Sequence, residues 1–145
     1  PVISDDIDGL AQIRAAVRTP ISSGEHEFTR YGFRELIAKR AVDILQPDIN
    51  RVGGYTEARK IWAMAAAYEL PVIPHTGKSF SYHIVIAHMN SPMAELYMLS
   101  PDAEDWQPTA LSGDPMPVDG HVTLSGKPGL GLELNHEVVE RLRMP

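Results

Sequence analysis

The sequence predicts an α/β fold in which four βα units build a parallel sheet. Two observations lead to this prediction. Short apolar runs that suit buried strands alternate with segments of about ten to fifteen residues whose apolar side chains recur at helical spacing. The chain of 145 residues is also long enough for one sizeable core, and its 43% hydrophobic and 22% charged residues are ordinary for a globular protein.

The predicted elements follow one another in a regular order. Asp5 and Asp6 place negative charge before the first helix, where the helix dipole favours it. Gly53 and Gly54 form the turn that opens the strongest helical segment, which is rich in Ala, Glu, Lys and Met. Helices are expected at 7–17, 29–40, 53–69 and 80–89. Strands are expected at 19–26, 41–48, 71–74 and 93–99.

The composition changes near residue 101. From there Pro, Gly and Asp dominate, and "VDGH" at 118–121 is typical of a tight hairpin turn. We therefore expect an α/β body at 1–100 and an irregular segment at 101–145, made of long loops and a small hairpin.

Charge and composition exclude several classes of function. A net charge of −6 and a pI near 5.4 argue against a nucleic-acid or anionic-membrane surface, which needs clustered Lys and Arg. The absence of Cys excludes disulfides and thiolate chemistry. No apolar run approaches the roughly 20 residues of a membrane helix, and with no signal peptide in view we expect a cytoplasmic location. The chain starts at Pro1 without Met, which is typical of a fragment or a processed piece.

Ionisable side chains fall at or near the ends of the four predicted strands. These residues are Glu25, Asp48, His75 and Glu95. In parallel α/β sheets and barrels, ligands and catalytic groups lie at the carboxyl ends of the strands. The sequence therefore predicts a site of mixed acid and base character at one rim of the sheet.

Each of these side chains also has a purely structural interpretation. His75 suits a turn residue bonded to a backbone carbonyl, and Asp48 suits a cap or an Asx turn. Glu25 and the adjacent His26 suit a surface pair. Glu95 lies in an apolar stretch, where a buried carboxylate needs a partner. The coincidence of the four groups at consecutive strand ends favours the functional interpretation.

Two other candidate motifs are weaker. "TGKS" at 76–79 lacks the upstream glycine of a Walker phosphate-binding loop. His83 and His88 are five residues apart on a predicted helix, so they do not share a face as a metal-binding pair four residues apart would.

Taken together, several short motifs resemble a known family. In order along the chain they are "SGEH", "DILQPDINRVGG", "VIPH", "AELYML" and "KPGLGLELN". Their combination resembles the C-terminal part of the enolase superfamily, within it the mandelate racemase subgroup, and most closely the L-rhamnonate dehydratases and their acid-sugar relatives. The resemblance extends from Pro1 to about Asn135.

The resemblance implies a role for each site residue. Glu25 matches the last of three carboxylates that bind Mg²⁺. Asp48 and His75 match a dyad in which the aspartate orients the imidazole and raises its basicity. Glu95 matches the acidic group of the final barrel strand, which is expected to meet the substrate carboxylate. His26, beside the metal ligand, is expected to contact the substrate.

The implied activity is that of a carbon–oxygen hydro-lyase. Members of the family remove the C2 proton of a sugar acid to form an enediolate and expel the C3 hydroxyl as water, which gives a 2-keto-3-deoxy acid. Enolase-superfamily sites use a Lys or His base and Mg²⁺ for this chemistry. We expect His75 to act as the acid that helps the hydroxyl leave, and a further role as the base stays open.

The resemblance also implies that much of the barrel is missing from this sequence. Four βα units make half of a (β/α)8-type barrel, which typically needs about 250 residues. We therefore expect the C-terminal half of such a barrel plus an irregular C-terminal segment of the capping domain. Two Mg²⁺ ligands and the lysine-bearing strand would lie upstream of Pro1. The expected partners are this N-terminal half, a small sugar acid and further copies of the chain, because relatives are commonly homo-oligomers.

Two alternatives remain open at this point. Within the same subgroup the activity could be that of a racemase or of a dehydratase for another sugar acid. In a different class, the chain would be a non-catalytic half barrel that self-associates to close its open sheet edges.

Overall fold

The structure is a computed structural model that describes residues 2–96 and 110–144. The helices are α1 (Ile7–Ala16), α2 (Thr29–Ala38), α3 (Gly54–Ala67), α4 (Ser79–Ile86) and α5 (His136–Leu142). The strands are β1 (Ser22–Ser23), β2 (Ile44–Leu45), β3 (Leu111–Ser112) and β4 (Glu133–Leu134). The predicted alternation of strands and helices is confirmed as far as α4. The predicted boundary at residue 101 lies outside the described residues.

Three parallel segments lie side by side, as predicted. β1 pairs with β2, with Ser22 opposite Ile44 and Ser23 opposite Leu45. The other edge of β2 continues into isolated parallel bridges with the segment 71–75. The chain therefore runs from β1 through α2 to β2, and from β2 through α3 to the third parallel segment.

Prolines keep the ladder between β2 and the segment 71–75 short. Pro47, Pro71 and Pro74 have no N–H to donate. Three backbone hydrogen bonds remain, from Leu45 to the Pro71 carbonyl (3.0 Å), from Ile73 to the Leu45 carbonyl (2.9 Å), and from His75 to the Pro47 carbonyl (3.0 Å). These bonds fix the register without forming a long regular strand.

The predicted fourth strand at 93–99 is wrong in its described part. Residues 93–96 have no strand structure, and residues 97–99 lie outside the described residues. The adjacent segment around Thr76 explains the difference. Thr76 has a φ of +67°, which turns its segment out of the extended conformation, and its N–H donates to the Glu95 side chain instead of a strand carbonyl.

The predicted helices are all present, with ends that differ by a few residues. Arg40 follows α2 with a φ of +52°, and Glu69 follows α3 with a φ of +56°, so the left-handed backbone ends both helices before the predicted limits. At the end of α4, the His88 side chain lies 2.9 Å from the Ile84 carbonyl oxygen. A ring nitrogen at this position satisfies a carbonyl that the helix leaves without a partner.

The core lies between the helices and the parallel segments. Trp62 of α3 is fully buried, and its indole N–H donates to the Ser91 hydroxyl over 2.7 Å. Buried apolar side chains from α2, β2, α3, α4 and the loops between them complete the core: Phe33, Leu36, Ile37, Ala41, Val42, Leu45, Ile49, Val52, Ala58, Ile61, Ala65, Val72 and Ile84. Helix α1 has no fully buried residue and is held partly by the ion pair between Arg14 and Asp43 (2.7 Å).

The C-terminal region is more regular than predicted. β3 pairs antiparallel with β4. The expected hairpin turn is confirmed, because Val118 and His121 exchange two backbone hydrogen bonds around Asp119 (φ +49°) and Gly120 (φ +75°). Helix α5 was not predicted, because only long loops and a small hairpin were expected in this segment. Its signal was Asn135, whose side chain caps the helix by accepting a hydrogen bond from the Val138 N–H.

This C-terminal region contacts the start of α4. The Asp114 carboxylate accepts a hydrogen bond from the Ser79 N–H over 2.7 Å, and the Ser79 hydroxyl donates to the Leu130 carbonyl over 2.6 Å. An aspartate from a distant segment therefore serves as the N-terminal cap of α4. Among the described residues, no helix combines the length and the apolar character needed to cross a membrane.

An ion pair fastens α2 to α3. The Glu57 carboxylate accepts hydrogen bonds from the Arg30 backbone N–H (3.0 Å) and guanidinium (2.7 Å), and from Lys60 (2.8 Å). The hydrogen bonds from Lys60 and from the Arg30 backbone lower the pKa of Glu57 to about 2. The side chain is only 13% exposed, so screening by solvent is limited.

We expect Glu57→Gln to lower the melting temperature at neutral pH. A lowered carboxyl pKa stabilises the fold above the ordinary pKa of 4.5, and this stabilisation is lost as the pH falls towards about 2. Thermal unfolding followed between pH 7 and pH 2 should therefore show a difference from wild type that shrinks below pH 4.5. Glu35→Gln, which removes an exposed pair with Arg34, is the matched control and should have little effect. A difference for Glu57→Gln that is the same at both ends of the pH range would contradict the assignment.

Candidate active site

Three of the predicted site residues meet at the carboxyl ends of the parallel segments. The register that places Asp48 opposite His75 also brings their side chains together, with 3.1 Å between His75 Nδ1 and Asp48 Oδ2. Glu25 comes two residues after β1, and its Oε2 atom lies 2.9 Å from His75 Nε2. The imidazole of His75 is thus held between two carboxylates.

Asp48 forms the expected Asx turn and also contacts His75. Its Oδ1 atom accepts a hydrogen bond from the Asn50 N–H over 2.8 Å, which is the expected Asx turn. Its Oδ2 atom faces His75. The turn fixes the carboxylate, and its side chain is only 8% exposed, so it can orient the imidazole.

Glu25 and His26 form the expected pair on the more exposed side of the site. His26 Nε2 lies 2.8 Å from Glu25 Oε1, and the two side chains are 54% and 38% exposed. Gly24 allows the chain to turn at this point, since it has a φ of +133° and a side chain there would collide with the Phe33 ring. A cavity of about 330 Å³ lies beside Glu25 and His26 and is also lined by Ser22, Ser23 and Gln46 among others.

Glu95 lies next to this group without touching His75. Its Oε2 atom accepts a hydrogen bond from the Thr76 N–H over 2.6 Å, and its Oε1 atom accepts one from the Gln46 amide over 3.3 Å. Gln46 also contacts the Ser22 hydroxyl (3.2 Å), so it connects β1 to Glu95. The half-buried carboxylate therefore has the partners that its apolar surroundings require.

Sequence reasoning missed three residues that contact the site. Arg51 lies 3.0 Å from His26 Nδ1 and 3.8 Å from the Asp48 carboxylate, and it donates to the Glu25 carbonyl over 3.3 Å. Gln46 and Thr76 hold Glu95. All three lie within the motifs "DILQPDINRVGG" and "TGKS", where a polar side chain within three residues of a candidate catalytic group was the available signal.

The donor atoms fit one part of a Mg²⁺ site. A carboxylate oxygen is the hard ligand that Mg²⁺ prefers, and Glu25 is accessible enough to supply one. Within residues 2–96 and 110–144, no group of three or more His, Cys, Asp and Glu side chains could hold a metal ion. Glu25 can therefore serve as one ligand, and a complete coordination shell needs oxygen atoms from elsewhere.

The arrangement defines a class of site. An oriented imidazole, a carboxylate suited to a hard cation and a second carboxylate stand at the carboxyl ends of parallel segments in an α/β fold. Such a site can move protons next to a cation. The Enolase C-terminal domain-like family matches residues 1–138, and the chain belongs to this family.

Known relatives agree with this assignment. An L-rhamnonate dehydratase from Saccharopolyspora erythraea is 42% identical over 99% of the chain. The crystal structure of rhamnonate dehydratase from Gibberella zeae complexed with Mg is 37% identical over 99% of the chain, with a TM-score of 0.83. A 3,6-anhydro-D-galactonate cycloisomerase from Zobellia galactanivorans is 32% identical over 97% of the chain, with a TM-score of 0.82.

The chain is much shorter than these relatives. It spans 38% of the length of the Saccharopolyspora erythraea protein, 39% of the Gibberella zeae chain and 40% of the Zobellia galactanivorans chain. The family and the α/β fold are therefore established for the chain. The activity and the substrate of this protein are proposed below.

We expect Gly77→Ala to disturb the contact between the His75 loop and Glu95. Gly77 is buried, and an added methyl group would overlap the Glu95 carbonyl oxygen, so one of the two backbones would have to move. The expected loss of stability is about 1–3 kcal/mol, measured by urea unfolding. Gly32→Ala, inside α2, is the control, because its added methyl group meets only the flexible side chain of Glu27, so the substitution should be neutral or stabilising. Equal stabilities for Gly77→Ala and wild type would show that the two segments are not in close contact.

Proposed function

We propose that this chain supplies the acid–base half of the active site of a Mg²⁺-dependent sugar-acid dehydratase that acts on L-rhamnonate or a close analogue. In this reaction the C2 proton is removed and the C3 hydroxyl leaves as water, which gives a 2-keto-3-deoxy acid. The observation that carries the proposal is the placement of His75 between Asp48 and Glu25. The dehydratase names of two of the compared relatives support the substrate class.

His75 is the proposed proton carrier. Asp48 faces Nδ1, so Nε2 is the nitrogen that meets Glu25 and is directed towards the proposed cation. An imidazole can hold and release a proton near neutral pH, and the leaving C3 hydroxyl needs a proton to depart as water. Asp48 has an orienting role, because its other oxygen is already held by the Asn50 N–H.

Glu25 is the proposed contribution of the chain to Mg²⁺ binding. When bound, Mg²⁺ supplies positive charge where negative charge develops on the substrate carboxylate. If the Glu25 carboxylate bound the cation instead of contacting His75, the Nε2 atom of His75 would be free to face the substrate. His26, which shares Glu25 and is half exposed, is placed to contact the substrate from the same side.

Glu95 is proposed to act next to the substrate carboxylate. Its two oxygens are held by Thr76 and Gln46, so its position is fixed before any substrate arrives. A fixed group costs less ordering on binding than a mobile one. The role therefore depends on the rigidity of the loop that carries Thr76.

A chimera tests the proposal directly. This chain would replace the matching 38% of the Saccharopolyspora erythraea relative, so that the rest of that protein supplies any additional ligands and substrate contacts. With Mg²⁺, we expect the purified chimera to convert L-rhamnonate to its 2-keto-3-deoxy product, measured by product formation. The 145-residue chain by itself is the control and should be inactive, because its described residues offer no complete metal site.

Glu25→Gln in the same chimera should raise the Mg²⁺ concentration needed for half-maximal activity, because the substitution removes a charged ligand. Titration calorimetry of Mg²⁺ with both proteins provides a readout that does not depend on turnover. A folded chimera that leaves L-rhamnonate unchanged, or full activity of the isolated chain, would contradict the proposal.

One comparison favours a different activity on a sugar acid. The Zobellia galactanivorans relative of almost equal structural similarity is named as a cycloisomerase of an anhydro sugar acid. A panel of sugar acids that differ at C2, C3 and C4 separates dehydration of L-rhamnonate from a racemase or from another dehydratase. Turnover of a different acid with no reaction of L-rhamnonate would favour that alternative.

Exposed apolar side chains favour a third hypothesis, in which the chain is a non-catalytic half barrel that self-associates. Ile86, Met89 and Met93 are each at least 60% exposed near the end of α4. Sedimentation of the isolated chain measures this association. A stable oligomer together with an inactive chimera would favour the non-catalytic reading.

A further inference from the structure

Thr76 touches two of the proposed site residues at once. Its backbone N–H donates to Glu95 Oε2 over 2.6 Å, and its hydroxyl lies 2.8 Å from His75 Nδ1. We propose that Thr76 is a positioning residue that sets where His75 and Glu95 lie relative to each other. The inference depends on the proposed function for its significance in catalysis, whereas the positioning can be tested without turnover.

The backbone of Thr76 is in a conformation that its side chain disfavours. Its φ of +67° lies in the left-handed region, where a β-branched residue is a genuine outlier. Glycine adopts this region without strain, and the next residue, Gly77, is a glycine with an ordinary φ. Contacts of Thr76 must therefore offset the strain, and its hydrogen bonds to His75 and Glu95 are the ones seen among the described residues.

The hydroxyl adds a second restraint to the imidazole. Asp48 Oδ2 lies 3.1 Å from His75 Nδ1, and Thr76 Oγ1 lies 2.8 Å from the same nitrogen. A proton on Nδ1 can be shared between these two oxygen atoms, and two acceptors restrict the rotation of the ring more than one does. Asp48 comes from the turn after β2 and Thr76 from the loop of His75 itself, so the ring is restrained from two separate segments.

The backbone N–H of Thr76 positions the second residue, Glu95. A methyl group on Gly77 would overlap the Glu95 carbonyl oxygen, which shows how closely the loop lies on the segment 95–96. At this separation the left-handed turn at Thr76 directs its N–H to the Glu95 carboxylate. One residue therefore fixes the imidazole through its side chain and the carboxylate through its backbone.

A structural role alone would give a different result on substitution. If Thr76 served only to turn the loop, Thr76→Val would behave like wild type, because valine has the same shape and the same backbone preference. Thr76→Gly would then simply relieve strain. If the hydroxyl positions His75, Thr76→Val should disturb the ring and Thr76→Ser should restore it.

The test uses the 145-residue chain labelled for NMR at one fixed pH. We expect Thr76→Val to shift the His75 ring resonances and Thr76→Ser to return them close to wild type. We expect Glu95→Gln to speed hydrogen exchange at the residue-76 amide by about tenfold, because it weakens the bond between that amide and the side chain of residue 95. Thr56→Val, on the surface of α3, is the matched control and should change neither readout.

Two results would overturn the inference. Identical His75 resonances in wild type, Thr76→Val and Thr76→Ser would exclude a positioning role for the hydroxyl. An unchanged exchange rate at residue 76 in Glu95→Gln would exclude the backbone contact. Neither readout depends on dehydratase activity, so an inactive chimera would contradict the proposed function and leave this result intact.

Discussion

The backbone register between β2 and the segment 71–75 is the constraint on which the site depends. It places Asp48 opposite His75, and the hydrogen bond from the His75 N–H to the Pro47 carbonyl holds that alignment. In a parallel pair, a slip of one residue in the segment 71–75 would turn the His75 side chain to the other face, away from Asp48. Prolines on both segments leave few alternative hydrogen-bonding patterns, so the sequence itself favours this register.

From this register the remaining contacts of the site follow in sequence. His75 meets Glu25 because β1 lies on the other side of β2 and ends at the same rim. Thr76 then extends the site to Glu95 through a backbone conformation that costs about 1–3 kcal/mol. Strain of this size persists where the surrounding contacts hold it, here Gly77 against the backbone of Glu95.

Sequence reasoning reached the three parallel segments and the common rim of Glu25, Asp48 and His75, because strand ends are readable from apolar runs. The pairing of Asp48 with His75 was expected only from the family resemblance. Sequence reasoning also identified Glu25 with His26 as a pair. It did not reach the contacts of Thr76, since a left-handed threonine has no sequence signature. The prediction of the fourth strand is wrong in its described part for the same reason. Helix α5 was missed because a short helix with few buried residues has a weak periodic signal.

The most direct test of the account is the dehydration rate of the chimera with His75→Asn, measured with L-rhamnonate and saturating Mg²⁺. Asparagine keeps a polar side chain but cannot carry the proton, so we predict a fall in kcat of about 10²–10⁴-fold with the circular dichroism spectrum unchanged. The same substitution at His121, in the exposed turn of the C-terminal region, should leave the rate unaltered. A His75→Asn chimera that keeps the full rate would contradict the claim that the imidazole held by Asp48 and Glu25 moves the proton.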